Sequence, residues 1–385
     1  MSSTRVITIL LSLAAFLAPA CQAQFGKPVM IPAGSEADHE LAAINAADPS
    51  QKLALIDQFS QAHPEGDFQI VADEQYVNYY IAAKNYDKAF EYGDKLFALD
   101  PDNYTNAVSM VRAANEKGDT EKLYTYGEKA TSIIQRYKAS PPPAGSDPEN
   151  WTRTKSEKIA LLKDDQNYIE QSLLSAAYNV KDPAKKADYF GRFGKLYPDT
   201  PEGEQALTMA ASSYQQAQNR GKMQEIANGV LAKDPNNISM LLLLADDYSE
   251  KNEQLDKADA YAKKAASLTD TAKKPDNLTD DQWKQQLAIQ KGWALSTLGQ
   301  VNLEKKLNIQ AVDNLTKAAP LLKSNAALYA RNQYRLGFAY LNLKKNPEAK
   351  QAFTDAASVE SPYKGLADQK LSELAAARPV HKKAS

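Results

Sequence analysis

The stretch Asn332–Ala356, NQYRLGFAYLNLKKNPEAKQAFTDA, decides the fold of this chain. Gly337 and Tyr340 lie one helical turn apart in its first half, and Ala349 opens its second half. Small and apolar residues at a helical period predict two amphipathic helices, which the turn residues 345–347 separate. Because a small residue at a helix crossing lets two backbones approach closely, the stretch predicts a tight helical hairpin.

The same pattern recurs along the chain. Asn85–Leu99 and Asp119–Ile133 align at an offset of 34 residues, which superposes their Tyr-Gly pairs. Each unit has a small or apolar residue near the start of its second helix, and these residues are Ala89, Leu123, Ala187, Met223, Ala258, Ala311 and Ala349. Repetition near this period predicts a solenoid of helical hairpins over residues 70–358.

The Leu-Gly-x-x-Tyr…Ala…Phe…Ala order of residues 332–356 resembles the tetratricopeptide repeat family. Asp73–Pro101 and Leu295–Ala318 share the order, whereas Leu207–Pro235 departs from it because Met223 replaces the small residue. The resemblance implies an all-α fold, a right-handed superhelical solenoid of helix-turn-helix repeats whose first helices line a concave groove. A HEAT-like array is the alternative, although its period would be about 40 to 47 residues.

Breaks in the pattern predict a segmented chain. The segments are a signal peptide (1–23), a flexible leader (24–37), an N-terminal helical cap (38–69), repeats 1–2 (70–137), a Pro-rich insertion (138–155), repeats 3–5 (156–268), a second insertion (269–281), repeats 6–7 (282–358), a C-terminal cap helix (359–377) and a disordered basic tail (378–385). The three consecutive Pro residues in Ser140–Asn150 favour an extended path. That insertion is either a surface loop with Trp151 packed against a neighbour or a protruding recognition loop.

The N-terminus has the layout of a secretory signal peptide. Arg5 precedes the apolar run Val6–Ala18, and small residues follow. The run is too short to span a bilayer, and no later run is longer, so we expect no transmembrane helix. Cleavage after Ala20 or Ala23 would release the protein to the periplasm or the exterior. Cleavage before Cys21, followed by lipidation, would instead anchor it as a lipoprotein.

Composition and motifs exclude several classes of protein. The 385 residues are 43% hydrophobic with a net charge of −2 and one Cys, which argues against disorder, a disulfide scaffold and a nucleic-acid partner. No phosphate loop, Gly-x-Ser-x-Gly elbow or His-Glu-x-x-His motif occurs. The acidic pairs 164–165, 246–247 and 280–281 are expected on solvated faces or at helix caps. We therefore expect no enzyme activity, no cofactor and no metal.

Projection of the first helices nominates a set of groove residues. They are Asn78, Arg112, Asn115, Asn179, Ser212, Gln215, Asp247, Gln300, Arg331, Tyr334, Arg335 and Phe338. Arg331 and Arg335 lie four residues apart, on one face, where they could bind a peptide carboxylate. The arrangement is similar to the last helix of carboxylate-clamp tetratricopeptide proteins, but Thr297 and Gln300 stand where that clamp has Asn. An ordinary solvated Arg pair is the alternative.

The sequence thus predicts an exported, non-enzymatic scaffold that binds a peptide or helix segment in its groove. Export together with the stretch 197–203 resembles bacterial envelope proteins of the tetratricopeptide repeat family, which implies a place in the bacterial cell envelope. The partner is a protein or peptide of unknown identity. One alternative is a self-associating structural component, with its groove filled by its own leader or by another copy. Such a component could be an envelope-assembly lipoprotein anchored through Cys21. An enzyme with an unrecognised site in the insertions is the third hypothesis.

Overall fold

The computed structural model describes residues 4–6, 25–275 and 278–376, of which residues 4–6 are described by their backbone alone. These residues form eighteen α-helices and one two-stranded ladder, which confirms the all-α prediction. Within the same ranges, no helix combines the length and the apolar character that crossing a bilayer requires. Most of the expected signal peptide, including Cys21, and the basic tail lie outside the described residues.

The chain divides into two compact units, unit 1 (Met1–Tyr197) and unit 2 (Pro198–Ser385). Unit 1 contains β1 (Thr4–Val6), β2 (Met30–Pro32), α1 (Glu36–Ala46), α2 (Pro49–Ala62), α3 (Asp67–Ala82), α4 (Tyr86–Leu99), α5 (Tyr104–Lys117), α6 (Thr120–Ala139), α7 (Pro148–Leu161), α8 (Lys163–Asn179) and α9 (Pro183–Leu196). Helices α1 to α6 pack as three consecutive hairpins, and α8 packs on both α6 and α9.

Unit 2 is a more regular series of hairpins. It contains α10 (Pro201–Gln216), α11 (Arg220–Lys233), α12 (Ile238–Glu250), α13 (Leu255–Leu268), α14 (Asp280–Glu304), α15 (Asn308–Leu322), α16 (Ala326–Asn342), α17 (Asn346–Ala357) and α18 (Lys364–Ala376). Four hairpins run from α10 to α17, and α18 covers α17. The first helices contact one another in the order α10, α12, α14, α16 and so form one layer of the unit.

Six of the turns inside the hairpins of the described residues share one geometry, and they occur in both units. In the first complete example, Lys84 adopts a left-handed φ of 54°, and the N–H of Asn85 donates to the Tyr80 carbonyl at 2.8 Å. This bond, from one residue to the carbonyl five positions earlier, ends the first helix, and the next helix begins at once. The equivalent left-handed residues of other turns are Gly118, Gln218, Asn252, Lys306 and Lys344.

Glycines lie where helices cross most closely. A Cβ atom at Gly337 of α16 would lie 2.6 Å from the Phe353 ring of α17, and Gly299 of α14 receives Leu315 of α15 in the same way. Only hydrogen at these positions leaves room for the partner side chain. The close approach predicted for residues 332–356 is therefore confirmed.

The leader differs from the flexible segment expected from its Gly and Pro content. The Phe25 ring lies 4.3 Å from that of Tyr137, and the Lys27 N–H donates to Asp100 Oδ2 at 2.9 Å. Val29 and Ile31 are buried in the core of α1 to α3, next to the backbone pairing of β2 with β1. Alternating apolar side chains thus hold residues 25–32 against unit 1, a pattern that composition alone concealed.

The Pro-rich insertion contains α7 and packs back on α6. Trp151 lies edge-on to the Tyr137 ring at 6.0 Å, and its Nε1 donates to the Ser140 carbonyl at 3.4 Å. Lys155 donates to the carbonyls of Lys138 and Ser140. These contacts match the interpretation in which Trp151 packs against a neighbour.

Candidate binding cleft

A charged cluster lies inside the first-helix layer of unit 2. Asp246 of α12 is 2% exposed and accepts a hydrogen bond from Arg331 Nη1 at 2.7 Å. Arg335 Nη2 lies 3.5 Å from the other Asp246 oxygen and also pairs with Glu250. We call Asp246, Glu250, Arg331 and Arg335 the buried ion cluster. The cluster joins α12 to α16, although α14 lies between these two helices in the layer.

The Arg side chains of α16 reach Asp246 of α12 past small residues of α14. Thr297 is fully buried and donates its hydroxyl to Asp246 at 3.2 Å. Arg335 Nη1 donates to the hydroxyl and the carbonyl of Ser296 at 3.2 and 3.3 Å. Ser296 thus accepts from Arg335 and Thr297 donates to Asp246, so α14 provides hydrogen bonds to both sides of the ion pair, whereas Nε and Nη2 of Arg331 are buried without a partner among the described residues.

The cluster favours its own ionised state. Burial alone would raise the pKa of Asp246, but the charges of Arg331 and Arg335 outweigh burial and lower that pKa. Burial likewise opposes the charge of Arg331, and the nearby Asp246 outweighs it and raises the pKa of the guanidinium. Asp246 and Arg331 therefore each favour the charged form of the other.

These observations correct two expectations about charge. The acidic pair 246–247 was expected on a solvated face or at a helix cap, yet Asp246 is buried within α12, and Asp247 accepts hydrogen bonds from Arg220 and Gln224. Arg331 and Arg335 form neither a solvated pair nor a clamp awaiting a carboxylate, since carboxylates of α12 already hold them. The apolar run Met240–Ala245 was the signal that α12 is buried on most of its surface.

A cleft of about 350 Å³ opens beside the cluster, and we call it the α12–α16 cleft. It is lined by Glu250, Gln300, Leu303, Glu304, Tyr334, Arg335, Phe338, Asn342 and Tyr363. The Tyr334 ring meets Phe338 edge-on at 5.0 Å and lies 5.6 Å from Tyr363, which precedes α18. Gln300 donates to the Glu304 carboxylate at 2.8 Å. Aromatic walls, two carboxylates and two amides thus surround the space.

The structure brings only some of the nominated groove residues together. Gln300, Tyr334, Arg335 and Phe338 line the cleft, and Arg331 lies in the buried ion cluster. Among the rest, Asn78, Asn179 and Gln215 are exposed on α3, α8 and α10, Ser212 is half-buried on α10, and Asp247 pairs with Arg220.

Two nominated residues of unit 1 bridge neighbouring helices instead. Arg112 Nη2 lies 2.9 Å from Asp165, and its guanidinium stacks 4.6 Å from the centre of the Tyr168 ring. Asn115 donates to the Tyr168 hydroxyl at 3.1 Å. These contacts join α5 to α8, so both side chains have a structural role there.

Sequence reasoning missed five lining residues, namely Glu250, Leu303, Glu304, Asn342 and Tyr363. Four of them lie near the ends of first helices, where the amphipathic pattern fades into the turn. Tyr363 was assigned to the cap segment, and its place against Tyr334 depends on how α18 covers α17. No periodic signal marks such positions.

Unit 1 has carboxylates of its own, among them the buried Asp100 and the half-buried Glu74. Asp100 is 2% exposed and accepts the Lys27 N–H, and Glu74 accepts from Asn103 Nδ2 at 3.1 Å. Burial raises the pKa of both carboxyl groups. Across the described ranges, no three His, Cys, Asp or Glu side chains are grouped so as to hold a metal ion.

Consecutive hairpins, shared turns and close glycine crossings make this a tetratricopeptide-like helical repeat fold. No family model matches the chain. No curated protein matches it either.

Several solved structures are similar at low identity. Yeast Tom70 is 12% identical with a TM-score of 0.35, over 89% of this chain and 96% of that one. The Cut9–Hcn1 tetramer of APC/C is 13% identical with a TM-score of 0.37, over 88% and 62%. The P58(IPK) TPR domain is 11% identical with a TM-score of 0.33, over 89% and 99%. Similarity at this level transfers no function to this chain.

Proposed function

We propose that this protein is an exported, non-catalytic scaffold that binds a peptide or helix segment of a partner protein in the α12–α16 cleft. The observation that carries the proposal is the cleft itself, about 350 Å³ of space lined by aromatic rings, amides and carboxylates. Concave sites with apolar walls and a few polar groups are where proteins most often bind ligands.

The buried ion cluster supports the proposal because it makes the floor of the cleft rigid. Arg335 is 4% exposed, and its guanidinium is bonded to α12 and α14, so it holds one position before any ligand arrives. A preformed site loses little conformational entropy on binding. The partner segment then bears most of the ordering cost, as in other complexes of peptides with helical grooves.

Export to the bacterial envelope is the second part of the proposal, and the layout of residues 1–23 supports it. Fractionation of cells that produce the full chain tests it, with a variant lacking residues 2–23 as the control. We expect the full chain in the periplasm or the medium and the variant in the cytoplasm. Cys21→Ser separates the two routes, since only a lipoprotein would leave the membrane fraction on this change.

Site-specific photo-crosslinking tests the binding role. A photoreactive amino acid replaces Asn342, which is exposed at the cleft, and in a matched control it replaces Lys350, which is exposed on the second helix α17. We expect a discrete adduct with another protein from position 342 and none from position 350. An adduct with a second copy of this chain would favour the self-associating alternative. Equal labelling from both positions would contradict the proposal.

A further inference from the structure

The positive charges beside the cleft are already balanced. The buried ion cluster contains two carboxylates and two guanidiniums, and its side-chain contacts bring them together pairwise. Arg335 is the only member with a positive charge that lines the cleft, and its side chain is 5% exposed. A carboxylate arriving from a partner would have to displace Glu250 or Asp246 from that guanidinium. An acidic ligand is therefore a poor match.

The charge that remains at the cleft surface is negative. Glu304 lines the cleft and accepts a hydrogen bond only from the neutral Gln300 among the described contacts. The Glu250 side chain is 42% exposed, so part of its carboxylate faces solvent. Two basic residues nearby have acidic partners of their own, because Lys370 pairs with Glu373 at 2.7 Å and Lys305 with Asp256 at 2.7 Å. No basic residue other than Arg335 lines the cleft among the described residues.

The aromatic walls suit a cationic side chain as well. The Tyr334 ring lies 5.0 Å from the Phe338 ring and 5.6 Å from the Tyr363 ring, measured between ring centres. Ring faces attract cations, and the aliphatic stem of Lys or Arg packs along them while its charged head reaches a carboxylate. Lys370 already lies 5.6 Å from the Phe338 ring centre, which shows that a cation can approach this wall.

We propose that the α12–α16 cleft recognises its partner through a Lys or Arg side chain flanked by apolar residues. The basic head would lie between Glu250 and Glu304, and its stem would pack on Tyr334 and Phe338. The inference rests on the proposed function and adds the chemistry of the partner segment, which is the opposite of the carboxylate that the Arg pair suggested from sequence.

Selection from a random peptide library on the full chain tests the proposal. We expect enriched peptides with Lys or Arg at one fixed position beside apolar residues. Glu304→Gln is expected to weaken their binding by about tenfold, the loss typical of a hydrogen bond to a charged group. Glu225→Gln on α11, which is exposed and outside the cleft, is the matched control and should leave the affinity unchanged.

A charge swap gives the second readout. Glu304 is half-buried at the C-terminal end of α14, so Glu304→Lys leaves the core intact. This variant should lose the selected peptide and bind a version in which Glu replaces the basic residue. Failure of this rescue, with peptide binding otherwise dependent on the cleft, would overturn the inference.

The outcomes separate the inference from the proposed function. Peptides that depend on the cleft but share an acidic or uncharged consensus overturn the inference and leave the binding role in place. If no enriched peptide depends on Phe338 or Glu304 for binding, both the inference and the proposed binding role are overturned. A variant that ends at Ala376 lacks residues 377–385, which contain Arg378, Lys382 and Lys383. If only that variant binds basic peptides, the occupant is this segment of the chain, and recognition of a partner is contradicted.

Discussion

Buried carboxylates occur in both units, but their partners differ in kind. In unit 2, Asp246 lies against two guanidiniums of the buried ion cluster, and its pKa is lowered although burial opposes this. In unit 1, burial raises the pKa of Glu74 and Asp100, which accept hydrogen bonds from the Asn103 amide and the Lys27 N–H. Both arrangements provide hydrogen bonds to the carboxylates, but only that of unit 2 places buried cations against one of them.

The difference teaches how the two units hold their helices. A charge-balanced cluster ties α12, α14 and α16 together and leaves space beside it for the cleft. In unit 1, Asp100 instead accepts a hydrogen bond from the leader, whose Gly26 backbone lies close to the Asp100 carboxylate. Removal of a carboxylate should therefore be severe in unit 2, where it strands two buried cations, and mild in unit 1, where it strands none.

The largest expected effect is that of Asp246→Asn. It leaves the guanidiniums of Arg331 and Arg335 buried with too little countercharge, and we expect a loss of about 3–5 kcal/mol in the unfolding free energy of unit 2. Urea denaturation of the full chain carrying Trp151→Phe measures it, because the remaining Trp283 and Trp293 both belong to unit 2.

Glu253→Gln is the matched control for this loss. The Glu253 side chain is 50% exposed and pairs with Arg220, a surface arrangement that contributes less than about 1 kcal/mol. A comparable loss from the two variants would mean that the buried ion cluster is no more important to the unit than an ordinary surface pair.

Asp100→Asn should have a much smaller effect in unit 1. The amide oxygen of Asn still accepts the Lys27 N–H, and no cation is left unpaired, so we expect a change within about 1 kcal/mol. Replacement of Trp283 and Trp293 by Phe leaves Trp151 to report on unit 1. A loss as large as that of Asp246→Asn would remove the distinction between the units.

The hairpin turns should respond alike in both units. Lys84 and Lys344 have left-handed φ angles of 54° and 60°, which Gly adopts without the steric cost of a Cβ atom. Lys84→Gly and Lys344→Gly are each expected to stabilise the protein by about 0.5–1 kcal/mol in thermal or urea unfolding. Stabilisation in only one unit would show that the turns are not equivalent.

The smallest expected difference is in how the unfolding free energy depends on pH. It is small because the protein stays folded over only part of the pH range in which each carboxyl group is protonated. The lowered pKa of Asp246 means that its contribution to stability is complete above its ordinary value near 3.8 and is lost as the pH falls further. The raised pKa values of Glu74 and Asp100 mean that acid favours their folded state, so their contribution rises as the pH falls.

Profiles of unfolding free energy against pH test this sign. Subtraction of the Asp246→Asn profile from that of the wild type should give a difference that shrinks toward pH 3. The corresponding subtraction for Asp100→Asn should change in the opposite direction. If both differences changed with pH in the same direction, the opposite pKa shifts assigned to Asp246 and Asp100 would be contradicted.

The hairpins and their turns could be predicted from the sequence because their determinants are local. Gly337 and Phe353 lie sixteen positions apart, and turn residues such as Lys344 act within a single helix end. The buried ion cluster could not be predicted in this way. Asp246 and Arg331 are separated by 85 positions, and their contact depends on the stacking of two further hairpins, which no single period encodes.

The same reason explains the partial success at the cleft. Projection of first helices found Gln300, Tyr334 and Phe338, since the face of a helix follows from its own period. It assigned the wrong environment to Arg335, whose exposure is decided by the carboxylates of another helix. Tyr363 was missed because it lies between helices.

Amide hydrogen exchange of the full chain, with and without a peptide selected on it, tests the central claim most directly. If the cleft is the binding site, exchange should slow in α12, α14, α16 and the segment around Tyr363, and should stay unchanged in the second helices α11, α13 and α15. Protection confined to unit 1, or spread equally over first and second helices, would contradict the account.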